Sequence, residues 1–138
     1  MKHENPYKEA MRYVENARLL LKQAGKEDRN YLDVKYVHSA CGTAYIGVVK
    51  ALNVLFDIKH VPKKRGRKSI EYYQASLTRI DKKLLNYLNN SYDILHIGGY
   101  YEGMTSIKVI EEGFENAILV IDALKPYSNN GEEWGIPR

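Results

Sequence analysis

A helical repeat of apolar residues, found in four separate segments, is the strongest constraint on how this chain folds. Within each segment apolar side chains recur three or four positions apart, the spacing that places them on one face of an α-helix. The four segments lie at about 5–25, 30–58, 69–88 and 105–124. Because the connections between them are mostly short, the repeat predicts an all-α, antiparallel up-and-down four-helix bundle, with a short fifth helix near 91–97.

The length of the chain predicts a single domain. With 138 residues, of which 44% are hydrophobic, the chain can form one core but not two. We assign residues 1–126 to the helical bundle. Residues 127–138 are polar and rich in turn-forming residues, so we assign them to a C-terminal tail.

Residues that favour helix ends mark the boundaries of the four segments. Asn5 precedes a proline at the first helical position, and Gly25 follows the end of the same helix. Asn30 is the predicted cap of the second helix, and Ser69 is the predicted cap of the third. Pro126 is expected to end the fourth, because proline lacks the amide hydrogen that a continuing helix needs.

The second helix contains two glycines, Gly42 and Gly47, in a stretch of small residues. Each glycine costs about 1 kcal/mol relative to alanine in a helix interior. A helix tolerates that cost where another backbone must approach closely. We therefore predict that the tightest helix contact lies here, either within the monomer or across a dimer.

The positive charge of the chain comes from one segment, residues 59–68, which contains six of the 21 basic residues and no acidic residue. The net charge of the whole chain is +4, so the other residues carry −2, the difference between +4 and +6. Such a segment is either a solvated connection or a contact for the phosphate groups of nucleotides or nucleic acid. The candidate anion-binding residues are Lys63, Lys64, Arg65, Arg67 and Lys68.

A second candidate site lies between residues 92 and 104. His96 titrates near neutral pH in its unperturbed state and could act as an acid or a base. Tyr92, Tyr100 and Tyr101 supply neighbouring rings, and the glycines between them allow a ligand to approach the backbone. The alternative interpretation is that His96 is a packed, hydrogen-bonded helix residue. Tyrosine makes up 12 of the 138 residues, which is typical of half-buried bundle packing or of a self-association surface.

Several kinds of site are not indicated by the sequence. Cys41, the single cysteine, lies on the apolar stripe of the second helix, so we expect a small buried side chain rather than a nucleophile. No histidines or carboxylates have the spacing of a metal site, and no glycine-rich phosphate loop occurs. The N-terminus lacks the apolar segment of a secretory signal, and no apolar run approaches the roughly 18 residues that span a bilayer. We therefore expect a cytoplasmic protein without a metal, a cofactor or a membrane partner.

Two stretches of the chain resemble the HEPN superfamily of small helical bundles. They read "YVHSACGTAYIGVVKALNVLF" and "LNNSYDILHIGGYYEGMTSIKVIEEGFENAILVIDAL", and the second is similar to that family's helix, polar turn and closing helix. The resemblance covers roughly residues 6–125, and within the superfamily the chain looks most like an uncharacterised bacterial group. It implies a four- or five-helix bundle that dimerises.

Membership of that superfamily would imply RNase, toxin or nucleotidyltransferase-partner functions. Its RNase members carry an arginine, then four to six residues, then a histidine. His96 is the one match to the histidine here, and the arginine would fall at Ser91, Asn90 or Asn89. None of these is arginine, so the motif is incomplete.

The sequence thus leads to one main hypothesis and two alternatives. The main hypothesis is a non-catalytic, HEPN-like homodimeric binding or partner module that contacts nucleotide or nucleic acid, such as RNA, through the basic segment. The first alternative is a degenerate RNase in which His96 is the acid or base and Arg65 or Arg67 binds phosphate. The second alternative is a structural partner of a nucleotidyltransferase.

Overall fold

The computed structural model describes residues 5–128. Most of the predicted polar tail, including Trp134, lies outside the described residues, and its assignment stays a prediction. The elements in chain order are α1 Pro6–Ala24, β1 Lys26–Glu27, β2 Asn30–Tyr31, α2 Val34–Ile58, α3 Ile70–Ile80, α4 Lys82–Ser91, a π-helix Tyr92–Tyr101, α5 Ile107–Ile121 and a 3₁₀ helix Asp122–Tyr127.

The described part of the chain is an all-α bundle, as predicted, with one very small β-hairpin. Asn5 caps α1, because its side-chain oxygen accepts hydrogen bonds from Tyr7 N at 2.9 Å and Lys8 N at 3.3 Å. The helices α1 and α2 are antiparallel, since Asp33 N donates to Ala24 O at 3.0 Å where the chain reverses. Most residues of the predicted apolar stripes lie in the core of the bundle, whereas Val34, at the start of α2, and Ile80, at the end of α3, are exposed.

Helix α2 is the central element, packed against α1 along one side and against the π-helix and α5 along the others. By length and composition it is apolar enough to cross a membrane, but half of its most apolar stretch is buried inside the molecule. A core helix of a soluble protein meets the same description. The largest fully buried side chains of the core include Val37, Leu52, Leu77, Leu88, Leu95, Ile110, Phe114 and Ile121.

The predicted start of the second helix at Asn30 is wrong. Residues 26–31 form the hairpin of β1 and β2, and α2 begins only at Val34, capped by Asp33, which accepts from Lys35 N at 3.0 Å. Asn30 has a different role, because its side-chain oxygen accepts a hydrogen bond from Thr105 Oγ1 at 3.0 Å. It ties the hairpin to the start of α5.

The segment predicted as the third helix forms two helices, α3 and α4, because the helix is interrupted at Asp81. This residue has extended backbone angles, φ −165° and ψ 100°, and its side chain caps α4 by accepting from Leu84 N at 3.0 Å. Ser69 precedes α3 as predicted but makes no side-chain capping hydrogen bond. The apolar stripe runs through both helices, so hydrophobic spacing alone does not reveal the break.

The predicted short helix near 91–97 is longer and of a different type. The chain continues from α4 into a π-helix that ends at Tyr101. The sequence predicts an irregular corner at Gly98, Gly99 and Gly103, but the first two are helical and buried. The corner comes later, at Gly103, which has φ +71°. There the chain turns towards α5, which is capped by Ser106 through Val109 N at 3.3 Å.

Candidate functional site

A ladder of aromatic rings lies along the exposed side of the π-helix. Tyr92, His96 and Tyr100 are four residues apart, and a π-helical turn takes in more than four residues, so their side chains lie nearly above one another. The ring of Tyr92 stacks on His96 with centroids 5.2 Å apart, and His96 stacks on Tyr100 at 5.7 Å. The π-helix thus converts a sequence spacing into a continuous aromatic surface.

Two further rings complete this aromatic ladder. Tyr45, from α2, lies 5.1 Å from the His96 ring and 5.9 Å from the Tyr92 ring. Tyr101 meets His96 edge-on at 5.4 Å. The imidazole of His96 therefore contacts four aromatic rings and is the centre of the ladder.

Burial sets the protonation of the groups in the ladder. Desolvation lowers the pKa of His96 below its ordinary value, which favours the neutral imidazole. Burial, with smaller contributions from Tyr92 and Tyr73, raises the pKa of Tyr45, so its phenol keeps its proton. His96 and Tyr45 thus favour their uncharged forms, and the ladder offers apolar ring surface together with hydrogen-bonding groups.

A groove runs beside the ladder, between α2 and the π-helix, and its first half is a neutral cavity of about 420 Å³. Gly42 leaves room for Tyr100, because a Cβ atom at this position would lie 2.8 Å from the Tyr100 Cδ1 atom. His38 contacts the backbone oxygen of Tyr100 through Nδ1. This neutral half is lined by His38, Ser39, Gly42, Thr43, Tyr45, Ile46, His96 and Tyr100.

The second half of the groove is a cavity of about 440 Å³ that reaches the end of the basic segment. The side chain of Lys68, one of the lining residues, is positioned by Asn53 of α2, because Lys68 Nζ donates to Asn53 Oδ1 at 3.3 Å. Asn53 Oδ1 also accepts from the Tyr73 hydroxyl at 2.8 Å. This cationic half is lined by Tyr45, Val49, Arg67, Lys68, Ser69, Ile70, Glu71, Tyr73, Tyr92 and His96.

The two cavities adjoin at Tyr45 and His96, which line both, and together they make up the groove. The structure therefore brings together the two candidate sites that the sequence suggested separately. It also divides the basic segment, since only two of its cations, Arg67 and Lys68, line the cationic half. All five candidate cations are solvent-exposed, but Lys63, Lys64 and Arg65 line neither half, and Lys63 Nζ lies 3.8 Å from Asp57 Oδ1.

Sequence reasoning missed the contribution of α2 to this site. Ser39, Thr43, Tyr45 and Ile46 lie off the apolar stripe of that helix and face the groove. One feature of the sequence indicates this contribution: Ile46 is a large apolar residue outside the stripe, and it is 48% exposed in the structure. Cys41, by contrast, is fully buried as predicted, and burial raises the pKa of its thiol to about 12.

The site offers binding groups rather than a metal centre. Over residues 5–128 no group of three or more histidine, cysteine, aspartate or glutamate side chains is placed to hold a metal ion. The groove contains aromatic surface, hydroxyl groups and a neutral imidazole, with two cations and the carboxylate of Glu71 at one end. Such a combination suits a ligand with flat rings and a phosphate or another anion.

This chain is similar to known proteins over nearly the whole length of the bundle. A family model described as a domain of unknown function, DUF5618, matches residues 5–125. A solved structure, a protein of unknown function from Dyadobacter fermentans, is 37% identical over 91% of this chain and 98% of its own, with a TM-score of 0.82. A comparison with curated proteins finds no significant match. The family match includes both α2 and the π-helix, the two walls of the groove.

Proposed function

The chain belongs to the DUF5618 family, and we propose that it is a non-catalytic, HEPN-like module that binds nucleotide or nucleic acid in its aromatic groove. The observation that carries the proposal is the shared cavity of Arg67, Lys68 and the ring ladder. Cations next to aromatic surface are the combination by which proteins hold single-stranded nucleic acid, through phosphate contacts and base stacking.

The proposal narrows the anion contact to one end of the basic segment. Arg67 and Lys68 lie where a phosphate could contact them while its base lies along the rings. Lys64 and Arg65 serve as solvated residues of the connection between α2 and α3. The HEPN-like kinship is part of the proposal and is supported by the all-α bundle and its closing pair of helices, α4 and α5, which pack together.

Homodimerisation is also part of the proposal, through a patch beside the neutral end of the groove. Leu32 and Tyr101 are 60% and 68% exposed, and Val34, also exposed, lies against Gly103 at the corner. Light scattering of the purified protein should give the mass of a dimer, and Leu32→Glu with Tyr101→Glu should give that of a monomer.

The binding proposal is tested with two pairs of substitutions that remove the same charge. Arg67→Ala with Lys68→Ala removes the cations of the groove, whereas Lys64→Ala with Arg65→Ala removes two cations of the solvated part. We expect the first pair to weaken binding of a labelled single-stranded RNA at least about tenfold, since each charged hydrogen bond contributes about 1.5–3 kcal/mol. The matched pair should change affinity less than about threefold, because exposed charges at a distance are screened by salt.

Fluorescence anisotropy at about 50 and 200 mM salt gives the affinities, and the affinity of the wild type should fall as salt increases. Thermal unfolding of each variant checks that the fold is kept. Absence of salt-dependent binding to nucleotides and RNA would overturn the proposal. So would equal losses in the two pairs, because binding would then follow net charge rather than the groove.

One observation favours a second candidate, RNA cleavage: His96 is a neutral imidazole in a groove with two cations, and a neutral imidazole can accept a proton. Two of the positions where the motif would need an arginine, Asn90 and Ser91, instead make hydrogen bonds within the bundle. Asn90 donates to Asn116 Oδ1 at 3.2 Å, and the buried Ser91 hydroxyl donates to Leu88 O at 3.0 Å. Arg79 is too far from His96 in sequence to match the motif, and it lines a separate cavity.

Cleavage is tested by incubating RNA with the wild type and with His96→Ala. The main proposal expects equal and negligible cleavage by both. Cleavage by the wild type that His96→Ala abolishes would favour the second candidate.

The third candidate is a structural partner of a nucleotidyltransferase, and it would be supported by co-purification of this chain with such an enzyme. A cytoplasmic location is proposed with all three candidates.

A further inference from the structure

The charges that line the groove are confined to one end. Arg67, Lys68 and Glu71 all lie in the cationic half, at the end of the basic segment and the start of α3. The neutral half is lined by hydroxyl groups, rings, two imidazoles and Ile46, without a lysine, arginine, aspartate or glutamate among its lining residues. The groove is therefore electrostatically asymmetric along its length.

The length of the groove follows from the helix that forms its wall. Its lining residues on α2 run from His38 to Val49, and a helix rises about 1.5 Å per residue, so the wall is about 17 Å long. A stacked strand places a phosphate about every 3.4 Å, so no more than about five nucleotides fit in this distance.

A channel for the interior of a strand needs cations along its whole length, because every nucleotide carries a phosphate. This groove supplies two cations and one carboxylate, Glu71, at one end and neutral surface beyond them. A terminal phosphate monoester carries about −1.5 to −2 charges near neutral pH, more than the single charge of a diester. The two cations therefore match the phosphate at the end of a strand better than they match a run of diesters.

Resting on the proposed function, we propose that the groove binds the phosphorylated end of a short single strand. The terminal phosphate contacts Arg67 and Lys68. The bases that follow lie along the groove towards Tyr100, whose ring is 47% exposed, while the hydroxyls of Ser39 and Thr43 meet base edges. The remaining phosphates face solvent, so they add little to affinity.

The first test compares single-stranded five-nucleotide RNA and DNA with a 5′ phosphate, a 3′ phosphate or neither. Both ends present the same monoester, so both are included. We expect phosphorylation of one end to tighten binding by about tenfold or more in the wild type and in the Lys64→Ala, Arg65→Ala control. The preference should be lost in the Arg67→Ala, Lys68→Ala protein.

The second test varies the length of the strand and the salt. Affinity should rise from one to about five nucleotides and then stay constant. The slope of log K against log salt should be about −1.4 for two cations and a single strand, and it should not change with strand length. A slope that grows with length would overturn the inference, because it would mean that phosphates are held along the whole groove.

A gain of charge in the neutral half sharpens the test. Ile46 is exposed, so Ile46→Lys should fold, and Ile46→Gln is its uncharged control. The lysine should steepen the salt slope to about −2.1, one further cation, and reduce the preference for a terminal phosphate. If the affinity of the wild type depends on neither the terminal phosphate nor the length of the strand, this inference is overturned but the proposed function is not. No nucleic-acid binding at all would overturn both.

Discussion

Helix α2 has two glycines that lie five positions apart and serve different surfaces. A Cβ atom at Gly47 would lie 2.9 Å from the backbone oxygen of Ala10, so this glycine allows α1 to approach α2. A Cβ atom at Gly42 would instead meet the ring of Tyr100, an exposed side chain of the groove. The predicted close approach of another backbone is confirmed at Gly47, where α1 packs against α2, whereas the neighbour of Gly42 is a side chain.

The comparison shows that small residues on one helix act in two ways. On the core face they bring two backbones together, and neither backbone can move without repacking the bundle. On the groove face they leave space beside a side chain that can rotate. The core face should therefore be rigid, dry and intolerant of change, and the groove face should be adaptable, so we order four predictions by the size of the expected effect.

The largest effect is expected for the reactivity of Cys41, on the core face. Its thiol pKa of about 12 leaves roughly a thousandfold less thiolate at pH 8 than an ordinary cysteine, whose pKa is about 8.5. Alkylation of the native protein, followed by mass spectrometry, should be slower than in urea by at least this factor. Rapid native labelling would mean that the core face is open to water.

Next in size is the loss of stability on Gly47→Ala. Overpacking against the Ala10 backbone lowers the free energy of unfolding by about 1–3 kcal/mol, whereas the better helix propensity of alanine raises it by about 1 kcal/mol. We expect the free energy of unfolding to fall by up to about 2 kcal/mol. Urea denaturation measures it, and an unchanged midpoint would show that the contact between α1 and α2 is looser than the distances indicate.

Gly42→Ala should have a smaller effect on stability and a larger one on binding. The exposed Tyr100 ring can move away from the new methyl group, so the cost is offset by helix propensity and the net change should stay within about 1 kcal/mol. Displacing Tyr100 disturbs its stack on His96, so nucleotide affinity should fall about threefold or more. If Gly42→Ala destabilises the protein as much as Gly47→Ala, the distinction between the two faces is wrong.

The smallest effect is expected from the titration of His96 in the half-buried groove. Because its pKa is lowered on folding, the unfolded chain binds the proton more readily, and stability falls as pH decreases below the unfolded value of about 6.5. Above that value the full stability is present. Thermal unfolding from pH 7.5 to 5.5 should show a shallower decrease for His96→Gln than for the wild type, whereas parallel decreases would mean that His96 is solvated.

Much of the bundle could be predicted because its causes are local. The cap at Asn5 and the apolar stripes depend on residues within a turn or two of each other. The errors occurred where a distant residue intervenes. Asn30 is of a residue type that favours helix caps, but its side-chain oxygen accepts a hydrogen bond from Thr105 instead. The break at Asp81 falls within an unbroken apolar stripe and is visible only in the backbone.

The candidate site was predicted in parts. The basic segment and the residues from Tyr92 to Tyr101 were both identified, but their proximity was not, since it depends on how α3 and α4 fold back on α2. Gly98 and Gly99 were expected to form a corner, because glycine often ends helices. Instead they lie buried in the π-helix, where a Cβ atom at Gly99 would overlap the Cys41 side chain.

The sequence by itself determined the class of fold, its single core and the location of its charge, because periodicity and composition act over short distances along the chain. Only the tertiary structure decided that Tyr45 joins His96 in one ladder and that two of the basic residues reach it. His38 and Tyr100 meet across 62 positions of sequence. Such contacts are set by the packing of whole helices, which depends on all their side chains at once.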